Sequence, residues 1–188
     1  LDGPFYRTLW HEVGHYLGVD KTSDGRELNE ALSPWGSHYE EMKADLVSAF
    51  TAAHLNANGS MDDEVFRSIQ AASVLRVLQK NQPRTAQQPY QTMQLMQMNY
   101  FLENGLLSFD ESTGRLEIHY DRYKEVISKM LRDVLSIQQQ GDSQKAGEFI
   151  DKYINWTAGL HDRLAKRLRD ASRYRFVSVR YKALPDDM

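Results

Sequence analysis

Hydrophobic residues recur every three or four positions over most of the chain, which is the spacing of amphipathic helices. This pattern predicts helices in seven places: residues 3–17, 38–56, 62–79, 90–104, 120–139, 143–153 and 158–172. Gly18 follows the first of them, and glycine is common immediately after the last turn of a helix. The periodicity therefore indicates a chain built mainly from helices.

Three stretches have the pattern of strands instead. Residues 106–109 and 115–119 are short apolar runs on either side of a turn that ends in Gly114, so they predict a hairpin. Residues 175–181 form a further strand-like run near the end of the chain. We therefore expect a mostly α fold with a small β ribbon.

Polar, Gly and Pro residues at 19–37 and at 80–89 predict loops between the helices. A chain of 188 residues is long enough for one hydrophobic core, so we expect residues 1–188 to form a single helical domain. The first residue is Leu1 rather than Met, and only ten residues precede the strongest motif. We therefore expect this domain to be a fragment of a larger protein.

Composition restricts the partners and the kinds of site. A net charge of -3 gives no general attraction to nucleic acid or to acidic membranes. No apolar run approaches the ~20 residues that span a bilayer. Since the chain has no cysteine, a metal would have to be bound by histidines and carboxylates. The sequence leaves the compartment unknown: a cysteine-free chain favours the cytoplasm, and the periplasm is possible if a signal segment has been removed.

Residues 11–15 are HEVGH, an HExxH motif within the first predicted helix. Histidines four residues apart lie above one another on a helix, so His11 and His15 could reach one metal ion. Glu12, beside the first histidine, could take a proton from water bound to that metal. By itself, the motif could also be an amphipathic helix with two surface histidines.

The second long helix supplies acids that could complete the site. Glu40 and Glu41 are adjacent, and Asp45 follows four residues after Glu41 among apolar neighbours. Catalytic zinc sites usually have three protein ligands, and their histidines usually donate a second N–H to a carboxylate. An exposed acidic first turn is the alternative, but the preceding HExxH motif favours a His-His-Glu zinc site.

The two motifs together, HEVGHYLG at 11–18 and EEMKAD at 40–45, resemble the dipeptidyl peptidase III family of zinc peptidases. Members of that family pair an HExxGH or HExxH helix with a downstream EExxA(D/E) helix. The resemblance implies one zinc ion and three ligands for it: His11, His15 and Glu41.

The same resemblance implies further roles and a fold. Glu12 would be the general base, while Glu40 and Asp45 would orient the two histidines. The family has two lobes with the substrate cleft between them, and this chain resembles the helical, zinc-bearing upper lobe. The order of the later helices and the ribbon is similar to about residue 155, so the likeness covers most of the chain.

Two departures from the family pattern affect these expectations. The common eukaryotic form has one more residue between its histidines, whereas the spacing here suits a regular helix. Family members also carry a histidine on a later helix that helps to hold the substrate. Alignment places Leu95, or a neighbouring Met or Gln within 94–97, at that position. We do not expect His119, nearby in sequence, to replace it, so dipeptide release is in question.

The sequence thus predicts a zinc metallopeptidase, an exopeptidase similar to dipeptidyl peptidase III, in which Glu12 assists attack of zinc-bound water on short peptides. Its partners would be the peptide and a second lobe of the same protein. Two alternatives stay open: another peptidase with a His-His-Glu zinc site, or a non-catalytic zinc-binding module that has lost its substrate-positioning residues. Glu12 favours an enzyme, because a purely structural zinc needs no base beside its ligand.

Overall fold

A computed structural model describes residues 3–79 and 89–171 of the chain. Its helices are α1 (Gly3–Gly14), α2 (Leu28–Ala31), α3 (Gly36–Ala57), α4 (Asp63–Gln79), α5 (Pro89–Glu103), α6 (Tyr123–Gln140), α7 (Ser143–Tyr153) and α8 (Arg163–Ala171). The strands β1 (Leu107–Asp110) and β2 (Arg115–Ile118) form one antiparallel pair between α5 and α6. The prediction of a mostly α fold with a small β ribbon is confirmed.

The predicted elements are present with small shifts in their bounds. The loop predicted at 19–37 contains the short helix α2, and α3 begins within its last two residues. A 3-10 turn, Tyr120–Arg122, precedes α6, and a π-helical turn, Ala158–Asp162, precedes α8. The predicted strand at 175–181 and most of the loop at 80–89 lie outside the described residues. Within the described part, no helix combines the length and the apolar character that a membrane span requires.

Helix α1 ends at Gly14, three residues before its predicted end. His15 therefore lies just after the helix, in a turn where the amide of Leu17 donates to the carbonyl of Gly14 (3.3 Å). Gly18 then adopts a φ of +98°, a conformation that favours glycine. The final predicted turn has little to pack against, since Tyr16 is 91% exposed and Leu17 46% exposed. Helices depend on such packing for most of their stability.

Helix α3 is the central element of the fold and packs against α1, α4, α5 and α6. It was predicted to have one apolar face, but most of its length is buried. Small residues such as Ala44, Ala49 and Ala52 allow neighbouring helices to approach on several sides. The buried hydroxyl of Tyr39 donates to the carbonyl of Ala146 (3.0 Å) and so connects α3 to α7.

The hairpin is fixed by helix α8. Leu107 pairs with Ile118 and Asp110 with Arg115, so the turn contains the polar residues 111–114. Arg163 and Arg167 donate to carbonyls in this turn, those of Glu111 and Gly114 respectively. The basic face of α8 is therefore a contact surface for the hairpin.

Candidate metal centre

The two motif histidines come together at the C-terminal end of α1. His11 is buried, whereas His15 is half-buried, and their ring centroids are 4.9 Å apart. The predicted i, i+4 relation is thus preserved, although His15 is in the turn that follows the helix. Their shared side faces α3, which provides the acids of the second motif.

Glu41 projects from α3 toward both rings. Its Oε2 lies 3.3 Å from Nε2 of His11 and 3.9 Å from Nε2 of His15, and one ligand atom from each residue lies within 4.8 Å of the others. Atoms that share a tetrahedral zinc, at about 2.0–2.1 Å each, are separated by about 3.4 Å. The spacing of these three atoms is therefore suitable for one divalent ion.

The hydrogen bonds of the histidines explain which nitrogens face the centre. Nδ1 of His11 lies 2.7 Å from Oδ1 of Asp45, and Nδ1 of His15 lies 2.9 Å from Oε1 of Glu40. A carboxylate can only accept, so each neutral ring carries its proton on Nδ1 and presents an unprotonated Nε2 to Glu41. Oε2 of Glu41 is also buried without a hydrogen-bond donor. Three acceptors that face one another in this way fit a cation between them.

Asp45 belongs to a buried network that the sequence did not reveal. The guanidinium of Arg7 donates to the same Oδ1 that contacts His11, and both charged side chains are less than a tenth exposed. Burial would raise the pKa of Asp45, but the bond with His11 and the charge of Arg7 outweigh it, so its pKa lies below the ordinary value. The hydroxyl of Ser48 donates to the carbonyl of Arg7 (3.0 Å), a second connection between α3 and α1.

Glu40 also has a cationic partner, but its carboxylate is more exposed than that of Asp45. Nζ of Lys43 lies 2.9 Å from Oε1 of Glu40 and 3.2 Å from the carbonyl of His15. The side chain of Glu40 is 34% exposed, in contrast to 6% for Asp45. Each histidine thus has a carboxylate behind it, and each carboxylate contacts a cation. The charge of Arg76 also acts on Asp45.

A close helix crossing brings the two motifs together. A Cβ on Gly14 would lie only 2.7 Å from the carbonyl oxygen of Ala44, so α1 and α3 meet where neither has a large side chain. Gly14 lies between the histidines and Ala44 lies between Glu41 and Asp45. The small residues of each motif therefore place its ligands opposite those of the other.

Tyr90, in the first turn of α5, is a site residue that sequence reasoning missed. Its hydroxyl donates to Oε1 of Glu41 (2.8 Å), the oxygen that does not face the histidines. This bond, together with partial burial and the charges of Glu41 and Glu12, raises the pKa of Tyr90, so the phenol stays protonated at neutral pH. Glu12 itself is exposed to solvent. A hydroxyl beside Pro89 at a helix start gave no distinctive signal in the sequence.

The other candidates are not among the three converging ligands. Gln94, Leu95, Met96 and Gln97 are all buried, so the segment aligned with the family histidine forms part of the core, where Nε2 of Gln97 donates to Oδ2 of Asp45 (3.5 Å). Nε2 of His119 contacts Oγ of Ser108 (2.8 Å) on the hairpin, away from the three ligands.

Three further histidines are not among the residues that converge on the centre. His54 is exposed on α3. His38 is buried beside Trp35, and both of its ring nitrogens are without a hydrogen-bond partner. His161 is buried in the π-helical turn before α8, where its Nε2 contacts Oδ1 of Asn99 (2.9 Å), so it supports the fold.

The structure is similar to that of DPP III from Caldithrix abyssi, with a TM-score of 0.77, 26% sequence identity, and coverage of 90% of this chain and 32% of that one. Dipeptidyl-peptidase III from Corallococcus sp. strain EGB gives a TM-score of 0.75 at 24% identity, again with 90% and 32% coverage. The resemblance to dipeptidyl peptidase III is therefore confirmed. The chain spans about a third of the length of these structures.

A curated protein of a different name also matches. Nudix hydrolase 3 from Arabidopsis thaliana is 25% identical over 164 residues, which are 85% of this chain and 21% of that protein. Its name describes a whole protein of which about a fifth is matched. No protein-family model matches the chain.

Proposed function

We propose that this chain is the zinc-bearing part of a peptidase similar to dipeptidyl peptidase III, and that it acts on short peptides. The observation that carries the proposal is the arrangement of Nε2 of His11, Nε2 of His15 and Oε2 of Glu41 around one point. These are ligand types that zinc prefers, and three of them leave a position open for chemistry. The structural similarity to DPP III, at 26% identity, supports a hydrolase in general.

His11, His15 and Glu41 would hold the ion in this proposal. A bound zinc would lower the pKa of a coordinated water toward ~7 and polarise the peptide carbonyl. Glu12 follows His11 directly and is exposed on the solvent side, where a substrate would approach. Its carboxylate accepts a proton from the attacking water and then donates it to the leaving amine.

Asp45 and Glu40 would act through the histidines. Each carboxylate accepts a hydrogen bond from the Nδ1–H of its histidine, at 2.7 Å for Asp45 and 2.9 Å for Glu40. This bond fixes the ring with Nε2 toward Glu41. Such partners also make the imidazole a better ligand. Both residues are thus proposed as positioning residues with no direct contact to the substrate.

The chain would need a partner lobe to bind peptides. It covers only 32% of each DPP III structure, so we propose that residues 1–188 are one domain of a larger, two-lobed protein. The open side of the centre, with Glu12 and Tyr90, would face the peptide and that second lobe.

One observation favours a second candidate function, a zinc-binding module without catalysis. Helix α5 contains no histidine, and its segment 94–97 is buried, so this helix offers no imidazole for holding a substrate. Glu12 argues against this candidate, since a purely structural zinc has no use for an exposed base. A different peptidase with a His-His-Glu site is the other alternative, and cleavage profiles on a peptide library would distinguish it.

The first test is the zinc content of the protein, purified without added metal and measured by elemental analysis. We expect about one zinc per chain in the wild type and its loss in the variant Glu41→Ala, because the third ligand is removed. If the wild type stays free of zinc even after zinc is supplied, the proposed site is wrong.

The second test separates catalysis from metal binding. Glu12→Gln should keep its zinc, because Glu12 is not a ligand, but lose about 10²–10⁴-fold in the rate of peptide hydrolysis. Hydrolysis is measured on short peptides with the full-length protein that contains this chain. Wild-type rates in Glu12→Gln would contradict the assigned base, while an inactive but zinc-loaded wild type would favour the non-catalytic module.

A further inference from the structure

Glu41 differs from the two histidines in the way its position is fixed. Each histidine is held by a carboxylate on α3. Glu41 is itself on α3, and the oxygen that points away from the histidines is bound by a residue of α5. That contact is the hydroxyl of Tyr90, at 2.8 Å from Oε1. The carboxylate therefore has one oxygen directed at a phenol and the other at the histidines.

We propose that Tyr90 is a positioning residue for the metal ligand Glu41: its hydroxyl binds Oε1 so that Oε2 alone remains for the ion. This inference rests on the proposed zinc site and adds to it a residue that neither motif contains. It assigns α5 a part in metal binding, in addition to its packing against the core.

The place of Tyr90 in the fold suits this role. Met93 and Gln94 are fully buried one turn further along α5, so the first turn of this helix is anchored against the core. The ring of Tyr90 is 46% exposed, yet its hydroxyl points inward to a carboxylate whose side chain is only 18% exposed. A surface tyrosine placed by chance has no reason to direct its one polar atom to a ligand.

The two oxygens of Glu41 have different surroundings, and this difference leaves only one of them available to the metal. Oε2 is buried, has no donor, and lies 3.3 Å from Nε2 of His11. Oε1 accepts a hydrogen bond from the hydroxyl of Tyr90 (2.8 Å). A carboxylate fixed in this way gives a single ligand oxygen. Because its rotation is already restricted before the ion binds, binding costs less conformational entropy.

The test is the zinc affinity of Tyr90→Phe, measured by competition with a chromogenic chelator. The phenylalanine keeps the ring and removes only the hydrogen bond, so the thermal unfolding of the metal-free protein should stay the same. Loss of a hydrogen-bonding partner behind a ligand typically weakens metal binding about 10- to 100-fold, and we expect a loss in that range. The absorption spectrum of the Co²⁺-loaded protein should change as well, because the geometry of Glu41 changes.

Tyr16→Phe is the matched control, since Tyr16 follows His15 directly but is 91% exposed. We expect its zinc affinity to remain within about twofold of the wild type. In a Glu41→Ala background, Tyr90→Phe should cause no further loss, because the group that it positions is gone.

The outcomes separate this inference from the proposal on which it rests. If the wild type and Tyr90→Phe bind zinc equally well, the zinc site stands and the role of Tyr90 is wrong. An equal loss from Tyr90→Phe with and without Glu41 would also overturn it, since the effect would not pass through that ligand. If the wild type binds no zinc, the site itself fails, and the inference fails with it.

Discussion

The two histidines of the candidate metal centre have the same set of partners in different surroundings. Behind His11 are Asp45 and Arg7, and behind His15 are Glu40 and Lys43. In both cases Nδ1 contacts a carboxylate, and the carboxylate contacts a cation. The Asp45 side of the centre is buried between α1 and α3, whereas the Glu40 side opens to solvent.

This difference in burial assigns different physical roles to the two sets. Charges that are removed from water are costly unless they are paired, so the buried pair of Asp45 and Arg7 must stay intact for the helices to pack. On the other side only the carboxylate is accessible to water, since the side chain of Glu40 is 34% exposed and that of Lys43 is 3% exposed. Lys43 would still donate to the carbonyl of His15 if Glu40 were removed. We conclude that the fold depends more on the partners of His11 than on those of His15.

The variant Asp45→Ala should have the largest effect, because it leaves the guanidinium of Arg7 buried without its carboxylate. Breaking a buried pair in this way costs about 3–5 kcal/mol of the free energy of unfolding. The measurement is urea denaturation of the metal-free protein. A loss below about 1 kcal/mol would mean that this side of the centre is no more dependent on its ion pair than the Glu40 side.

Replacement of the whole ion pair should separate folding from metal binding. In the double variant Arg7→Met with Asp45→Leu, apolar side chains of similar size take the place of both charges, which is often neutral for stability. We expect most of the unfolding free energy to return. Zinc affinity should remain about 10- to 100-fold below that of the wild type, because Nδ1 of His11 lacks its acceptor.

The free energy of unfolding and the zinc affinity of the double variant are compared with those of Asp45→Ala, by urea denaturation and by chelator competition. Full recovery of zinc binding in the double variant would contradict the role given to Asp45.

The variant Glu40→Ala should have the smallest effect, and it serves as the matched control for Asp45→Ala. We expect a loss of about 1–2 kcal/mol in the free energy of unfolding, less than for Asp45→Ala, because the buried Lys43 loses its carboxylate but keeps its hydrogen bond to the carbonyl of His15. Zinc affinity should fall by about tenfold, the lower end of the range for such partners, because water can accept from Nδ1 of His15. If Glu40→Ala destabilised the protein as much as Asp45→Ala, the contrast between the two sides would be wrong.

Features of this centre that are local along the chain could be predicted from the sequence, whereas contacts between residues far apart in sequence could not. The spacing of His11 and His15 and the helical setting of Glu41 follow from periodicity, which is local along the chain. Arg7 lies four residues before His11, on the same face as the motif, so that periodicity could have revealed it. Tyr90 could not be found in this way, because nothing local relates it to Glu41, 49 residues earlier.

The misplaced expectations have the same origin. The first helix was predicted to continue to residue 17, since the periodic pattern does so, but it ends at Gly14 where packing ceases. The segment of α5 aligned with the family histidine, 94–97, is buried, and its Gln97 lies behind Asp45, while the first turn of the helix reaches Glu41. Whether a residue faces the core or the centre depends on neighbours that are distant in sequence.

The sequence by itself determined the mostly α class, the hairpin, the two motifs and the types of ligand available, because each depends on residues within a few positions of one another. Only the tertiary structure decided that Gly14 and Ala44 let α1 and α3 touch, that Arg7 supports Asp45, and that Tyr90 reaches Glu41. These features depend on how helices pack, and packing is set by the fit of whole surfaces, which no single stretch of sequence contains.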